Sequence, residues 1–299
     1  MRKNFKIGFI GFGEAGFHIA SGLREAGISH LSAFDIHTHT PGRGEQIQER
    51  ARNAVVTLYE STQQLLLNSE ILLSVVTASS AVEAAEQTAP YLHTGHCYAD
   101  LNSVSPETKR EINGTISATG ASFVEAAVMA PIPPYGHKVP MLLGGSAAQS
   151  LADLLSPFGM RFDIVSEQIG AAVAVKMCRS VIVKGLEALL LECALGAVKY
   201  GADERVFASL EESYPGMNWS SLAGYAISRI IEHGERRARE LEQVAATLRA
   251  AGIEPMMAEA IVRRQDWGAQ LNLKAHFCGR VPEDYRTIVH AIAEREKND

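Results

Sequence analysis

Residues 6–16 read KIGFIGFGEAG, and the fold turns on whether these glycines cradle a nucleotide or merely turn the chain. A G-x-G-x-x-G run has the first meaning only between a strand and a helix, with an acid about twenty residues beyond it. Lys6 to Ile10 is a short apolar run of the kind that forms a fully buried strand. Gly11, Gly13 and Gly16 follow at the required offsets, and the next segment carries Ala15, Ile19 and Leu23 along one helical stripe. LSAFDI then reads as a second strand ending at Asp35. All the elements the motif needs stand in order.

In this context each glycine has a distinct use. Gly11 permits the tight turn, Gly13 lets backbone approach a pyrophosphate, and Gly16 lets the helix sit close to the sheet. Phe12, Glu14 and Ala15 complete the candidate cradle. A carboxylate at Asp35 accepts hydrogen bonds from the adenosine ribose and repels a 2'-phosphate, which argues for NAD. The following IHTHTPGR carries His37, His39 and Arg43, any of which can meet a phosphate, so NADP stays possible.

The chain has 299 residues, 46% hydrophobic and 21% charged, which suits a soluble protein of two domains. A net charge of -6 without any Lys/Arg tract argues against a nucleic-acid surface. No stretch reaches the roughly 18 consecutive apolar residues of a membrane span. The first residues run directly into the first strand without a signal-peptide pattern, so a cytoplasmic location is expected. Cys97, Cys178, Cys193 and Cys278 form no CxxC pair and read as reduced thiols. The histidines show no HExxH spacing, and no metal is expected.

The first half alternates strand and helix. Strands are expected at Ile71 to Val76, near Asp100, in ASFVEAAVMA and in MLLGG, with a helix starting near Pro106. These make a Rossmann-like, doubly wound, mostly parallel α/β sheet over residues 1–166. From 167 to 299 the pattern becomes all-helical, beginning with a long apolar helix through GAAVAVKMCRSVIVKGLEALLLECALGAVKYG. Gly185 weakens that helix without ending it. Its apolar surface exceeds what one neighbour covers, so it is expected to be buried against other helices, a partner subunit's included, and this domain to dimerise.

On that helix Lys176 stands among small apolar residues, with no acid three or four positions away. At 100° per residue, Ser180 and Glu187 share its face. A desolvated lysine exchanges a proton nearer neutral pH; a snorkelling lysine reaching solvent fits the pattern equally well. Lys184 is explained locally by Glu187, and HGERRARELE by a solvated face with pairs such as Arg236–Glu240, although His233 can face a cleft. In PIPPYGHKVP, Tyr135 and His137 can line a substrate mouth, and Met217, Asn218 and Trp219 can cap a pocket.

Several of these motifs together resemble the beta-hydroxyacid dehydrogenase family, which includes 3-hydroxyisobutyrate and 6-phosphogluconate dehydrogenases. Within it, the chain looks like an uncharacterised NAD(P)-dependent oxidoreductase branch with a distinctive C-terminal helical domain. IGFIGFGEAG matches the family's opening motif, and VVTASSAV its cofactor-facing loop, which puts Thr77 and Ala78 against the cofactor. DLNSVSP, Asp100 to Pro106, resembles D-x-S/T-S/T-x-x-P, so Asn102 and Ser103 are expected near the nicotinamide. KVPMLLGG resembles the strand that follows the family's substrate turn. GAAVAVKMCRS resembles G-x-x-x-x-x-K-x-x-N-N, which places Lys176 on the catalytic lysine.

Two departures bear on substrate. Arg179 and Ser180 replace the asparagine pair, and Met129, Ala130 and Pro131 follow Glu125 where relatives have D-A-P-V-S-G-G. Pro131 has no amide hydrogen to hold a carboxylate. Lys176, Ser103 and Ser180 are the implied catalytic residues. Glu125, Met129, Ala130, Pro131, Arg179 and His233 are the implied substrate contacts. The resemblance implies hydride transfer between nicotinamide and a small hydroxy acid or related alcohol or carbonyl compound, by a homodimer. An imine reductase or a non-catalytic NAD(H)-sensing protein on the same fold are the alternatives; the retained lysine favours the first reading.

Overall fold

The computed structural model describes residues 5–295. The chain divides into two compact units, Met1–Lys176 and Met177–Asp299.

In the first unit, β1 (Lys6–Ile10), α1 (Glu14–Glu25), β2 (His30–Phe34), α2 (Arg43–Ala54), β3 (Thr57–Leu58) and α3 (Thr62–Leu67) precede β4 (Ile71–Ser74). After a short 3-10 turn come α4 (Ala81–Thr88), β5 (Cys97–Asp100), α5 (Pro106–Ser117), β6 (Ser122–Val128), β7 (Pro140–Gly144), α6 (Ala148–Leu155) and β8 (Arg161–Ser166). Among the described residues, eight strands form one sheet in the order β3-β2-β1-β4-β5-β6-β7-β8. Every pairing is parallel except β6 with β7. The last strand ends where the sequence pattern places the end of the sheet.

Strand alternation explains why β4 reads as an unbroken apolar run. Ile71 and Leu73 point into one core with α1, α2 and α6, through Ile19, Leu23, Ile47, Leu151 and Leu155. Leu72 points into another with α3, α4 and α5, through Leu65, Ala85, Ile112 and Ile116. Helices therefore cover both faces, and the central strands need apolar side chains on each.

The helix expected to follow the sheet is α7 (Ala171–Lys199), continuous through Gly185. The compact units part inside it, after Lys176. Its first turn is bonded to β6, as described below, and so belongs with the sheet.

The second unit contains the rest of α7 with α8 (Asp203–Ser213), α9 (Trp219–Ala250), α10 (Met256–Gln270), α11 (Leu273–His276) and α12 (Tyr285–Arg295). Its core joins Leu190 and Leu191 to Ile227, Ile230, Ile288 and Ile292. Asn218 caps α9 by accepting from Ser221 N at 2.8 Å, and Trp219 is buried in the same core, where it cannot cap a pocket.

A buried polar network crosses this core. Lys184 pairs with Glu240 of α9 at 2.9 Å instead of its helix neighbour Glu187. Glu187 is taken by Arg237, whose guanidinium engages both carboxylate oxygens, and by Gln265 Nε2 at 3.1 Å. Burial pushes the Glu187 carboxyl up and the Lys184 ammonium down from their ordinary values, against the pull of their partners. Arg236 does pair with Glu240, as its spacing implies. Among the described residues no helix is long and apolar enough to cross a membrane.

Candidate functional site

The parallel strands deliver four segments to one edge of the sheet. Gly11 N bonds Phe34 O at 2.9 Å, Val75 N bonds Ile10 O at 2.9 Å, and Leu101 N bonds Ser74 O at 3.0 Å. The carboxyl ends of β2, β1, β4 and β5 thus lie level. Strand order reverses between β1 and β4, the switch point outside which ligands bind in open α/β sheets. Leaving these ends are the glycine turn, Asp35, Thr77–Ala78 and Asn102–Ser103.

The three motif glycines have different physical reasons. Gly11 has φ +84°, and a Cβ there would come within 2.8 Å of Val76 Cγ1. A Cβ on Gly16 would crowd Gly11 O at 3.2 Å. At Gly13 a Cβ would meet nothing within 4 Å. Protein packing and backbone conformation therefore require glycine at 11, close packing favours it at 16, and the space at 13 is open. A pyrophosphate lying against backbone at the N-terminus of α1 would use that space.

The expected cradle residues divide into side chains and backbone. Glu14 is exposed and Ala15 half-buried at the start of α1. Phe12 is fully buried, edge-on to Phe9, so its side chain serves the core and is withdrawn from any ligand. Its amide is taken as well, donating to Asp35 Oδ2 at 2.7 Å. Asp35 Oδ1 accepts from His37 N at 2.9 Å. Asp35 thus ties the glycine turn to the loop after β2, and each oxygen keeps a lone pair for a hydroxyl. Thr77 and Ala78 are exposed, with Thr77 Oγ1 bonded to Ser79 and Ser80.

The loop after β5 is held more rigidly. Asp100 is fully buried, and its Oδ1 accepts from Asn102 N at 3.0 Å and Asn102 Nδ2 at 2.5 Å. Asn102 Nδ2 also donates to Ser74 Oγ at 2.9 Å, which leaves its buried Oδ1 without a protein donor. The Asp100 charge is met by Lys109, itself 0% exposed. Lys109 Nζ donates to the Asp100 carbonyl at 2.7 Å and lies 3.0 Å from Oδ2, a charge contact more than a directed hydrogen bond. Lys109 stands in no sequence motif. Its signal is periodicity, since Lys109, Ile112 and Ile116 share the buried stripe of α5.

This loop presents Ser103 to α7. Lys176 Nζ donates to Ser103 Oγ at 2.5 Å, bringing together the two residues that the sequence motifs single out 73 positions apart. Both are half-buried.

The candidate substrate residues are placed less uniformly. Glu125, expected at a substrate turn, is 0% exposed, and its oxygens accept from Gly170 N and Ala172 N, each at 2.6 Å. Such a carboxylate holds the start of α7 and has no face left for a substrate. Met129 closes β6 onto the next strand through Met129 N to Pro140 O at 2.9 Å, Ala130 packs on the core, and Pro131 is exposed. Arg179 is exposed and Ser180 half-buried on α7. His233 is half-buried on α9, and burial together with Arg229, Arg236, Arg237 and Lys274 holds its imidazole down to about 4, despite Glu232 at 3.5 Å. It is therefore neutral at pH 7 and supplies no cation for a carboxylate. His137 is buried with Nδ1 against Gly22 of α1, so it lies inside the unit and lines no open mouth, while Tyr135 is exposed.

The open space at Gly13, the buried acceptor on Asn102 and the residual lone pairs of Asp35 fit a dinucleotide. The family of the NAD binding domain of 6-phosphogluconate dehydrogenase matches residues 6–159, over half of the chain. The chain belongs to that family. The part matched contains the glycine turn, Asp35, Thr77, Ser103 and Glu125. A domain of unknown function, DUF1932, matches residues 197–268, and Lys176 lies between the two. A structure of a conserved hypothetical protein from Sinorhizobium meliloti 1021 is 36% identical, covers 98% of this chain and 97% of its own, and superposes with a TM-score of 0.79. An uncharacterized 28.5 kDa protein of Methanothermus fervidus is 29% identical over 252 residues, 84% of this chain and 94% of its own. Mitochondrial 3-hydroxyisobutyrate dehydrogenase of Drosophila melanogaster is 27% identical over 220 residues, 72% of this chain and 65% of its own.

Proposed function

We propose that this family member is an NAD(P)-dependent dehydrogenase acting on a small hydroxy acid or related alcohol or carbonyl compound. The observation that carries the reading is the Lys176 Nζ–Ser103 Oγ hydrogen bond, built in the unit that also holds the glycine turn. A protein that only senses NAD(H) has no use for an amine–hydroxyl pair at this position. The name of the Drosophila relative supports a hydroxy acid as the substrate class.

Gly11, Gly13, Glu14, Ala15 and Gly16 would hold the pyrophosphate, and Asp35 the adenosine ribose, in favour of NAD over NADP. Thr77, Ala78 and Asn102 would flank the nicotinamide half. When bound, the nicotinamide supplies acceptance or delivery of hydride. The protein's task is to place one oxygen and manage one proton. Ser103 Oγ accepts from Lys176, so its own hydrogen points elsewhere and can be given to a substrate oxygen. In oxidation the neutral amine of Lys176 takes the hydroxyl proton as the carbonyl forms; in reduction the ammonium returns it. Orientation by two fixed groups lowers the entropic part of the barrier. Met129–Pro131 replace the amide-rich turn of relatives.

The direct test is a screen of hydroxy acids, polyols and aromatic alcohols with NAD and with NADP, read as nicotinamide absorbance. Turnover by wild type that is abolished in Gly13→Val is the expected result. A protein that binds NADH tightly yet turns over none of these compounds in either direction would favour the sensing alternative.

A further inference from the structure

We propose that Asp100 and Glu125 are paired positioning residues, each fixing the segment that delivers one member of the Lys176–Ser103 pair. The inference rests on the reading of that pair as the reacting groups. Asp100 ends β5 and Glu125 stands beside it on β6 as its register partner. Two carboxylates with no solvent exposure occupy neighbouring positions at the ligand end of the sheet.

They are neutralised differently. Lys109 balances Asp100 through a buried ion pair. Glu125 is balanced by backbone amides at the amino end of α7, where the helix dipole favours negative charge. Neither is exposed to solvent. Asp100 Oδ1 grips Asn102 twice, setting the residue next to Ser103. Glu125 grips Gly170 and Ala172, one turn before Lys176. The two arms also touch: a Cβ at Gly170, whose φ is +101°, would lie 2.6 Å from Arg110 Nη1 and 3.1 Å from Pro106 Cβ. Pro106 opens α5 directly after the Ser103 loop.

An ion pair this deep adds little net stability over an apolar substitute, yet removing one partner leaves a buried charge. Its value here lies in geometry. A side-chain pair that must meet at 2.5 Å from segments 73 residues apart needs both segments held within a fraction of an ångström.

The test reads Lys176 itself, with no substrate required. Competitive acetylation with acetic anhydride, quantified on the Lys176 peptide by mass spectrometry against exposed Lys138, reports how well Ser103 shields the amine. Ser103→Ala sets the value for the broken bond. Glu125→Gln keeps one acceptor and opposes one amide with its own NH2. Asp100→Asn combined with Lys109→Met removes both charges of the ion pair. Each is expected to raise Lys176 labelling roughly two- to tenfold, the range of one lost hydrogen bond. Leu155→Ala, on the buried face of α6, is expected to lower the melting temperature without changing that labelling. Should Glu125→Gln fail to fold, Gly170→Ala moves the same anchor from the opposite side and carries the same expectation. Labelling at or below the wild-type level in these variants overturns the proposal. Hydride transfer surviving Lys176→Ala would sink the chemical reading and leave this result standing, so the two failures are separable.

Discussion

A valine at position 13 would enter space that no protein atom fills, whereas a side chain at 11 would strike Val76. Gly13→Val is therefore expected to fold, losing at most about 1 kcal/mol from a poorer helix cap, and to lose NADH binding. Fluorescence titration beside a thermal melt checks both halves; normal NADH affinity would place the pyrophosphate elsewhere. At position 35 the effect is mixed, because the carboxylate also holds the Phe12 and His37 amides. Asp35→Ala should weaken NAD more than NADP, so the ratio of their dissociation constants moves toward NADP. An unchanged ratio would remove Asp35 from cofactor selection. That the glycine turn and Asp35 are bonded to each other, and Ser103 to Lys176, agrees with a sequence in which a short motif or a resemblance marks each one. The inward turn of Glu125 carries no such mark, because its partners lie 45 and 47 residues on and no local pattern reveals a carboxylate turned to a helix start. Lys109 was missed because a lysine on an apolar stripe passes for an ordinary helix residue until its buried partner is seen.

Among the elements, α7 was readable from its run of apolar and small residues, and α5 from its proline at the first turn. By contrast α2 carries its buried stripe on Gly44, Ile47, Ala51 and Ala54, too small a set for hydrophobic periodicity to register. The helical unit's polar network was legible only in part. Local spacing paired Lys184 with Glu187, but the packing of α9 supplied each with a stronger partner. Removing one such partner should be costly: Arg237→Met is expected to destabilise by about 3–5 kcal/mol, because the buried Glu187 carboxylate loses its guanidinium partner and keeps only the Gln265 hydrogen bond. Exposed Arg236→Ala should cost under about 0.5 kcal/mol. The pH dependence has a definite sign. Burial already raises the folded-state pKa of Glu187, and loss of Arg237 raises it further. A carboxyl raised on folding loses stability as pH climbs from its unfolded value through its folded one. The Arg237→Met penalty should therefore shrink on acidification, and urea titrations across pH 4 to 8 read it directly. A penalty that grows toward low pH would contradict the network.

For the whole molecule, α7 leaves Ile182 66% and Leu189 58% exposed, seven residues apart on one face. A homodimer covering that stripe is expected, with sedimentation at about twice the 32.3 kDa chain mass. Leu189→Glu should shift it to a single chain, and a wild-type protein that sediments only near the chain mass would refute the dimer. Chemistry is the more central claim, and it belongs to the unit that contains both the glycine turn and Lys176. With the best substrate from the screen, Lys176→Ala should bind NADH like wild type, since the glycine turn is built by other segments. Single-turnover hydride transfer at saturating cofactor should fall by roughly 10²–10⁴-fold, the usual share of general acid–base catalysis. Transfer by Lys176→Ala at a near-wild-type rate under those conditions would contradict the account.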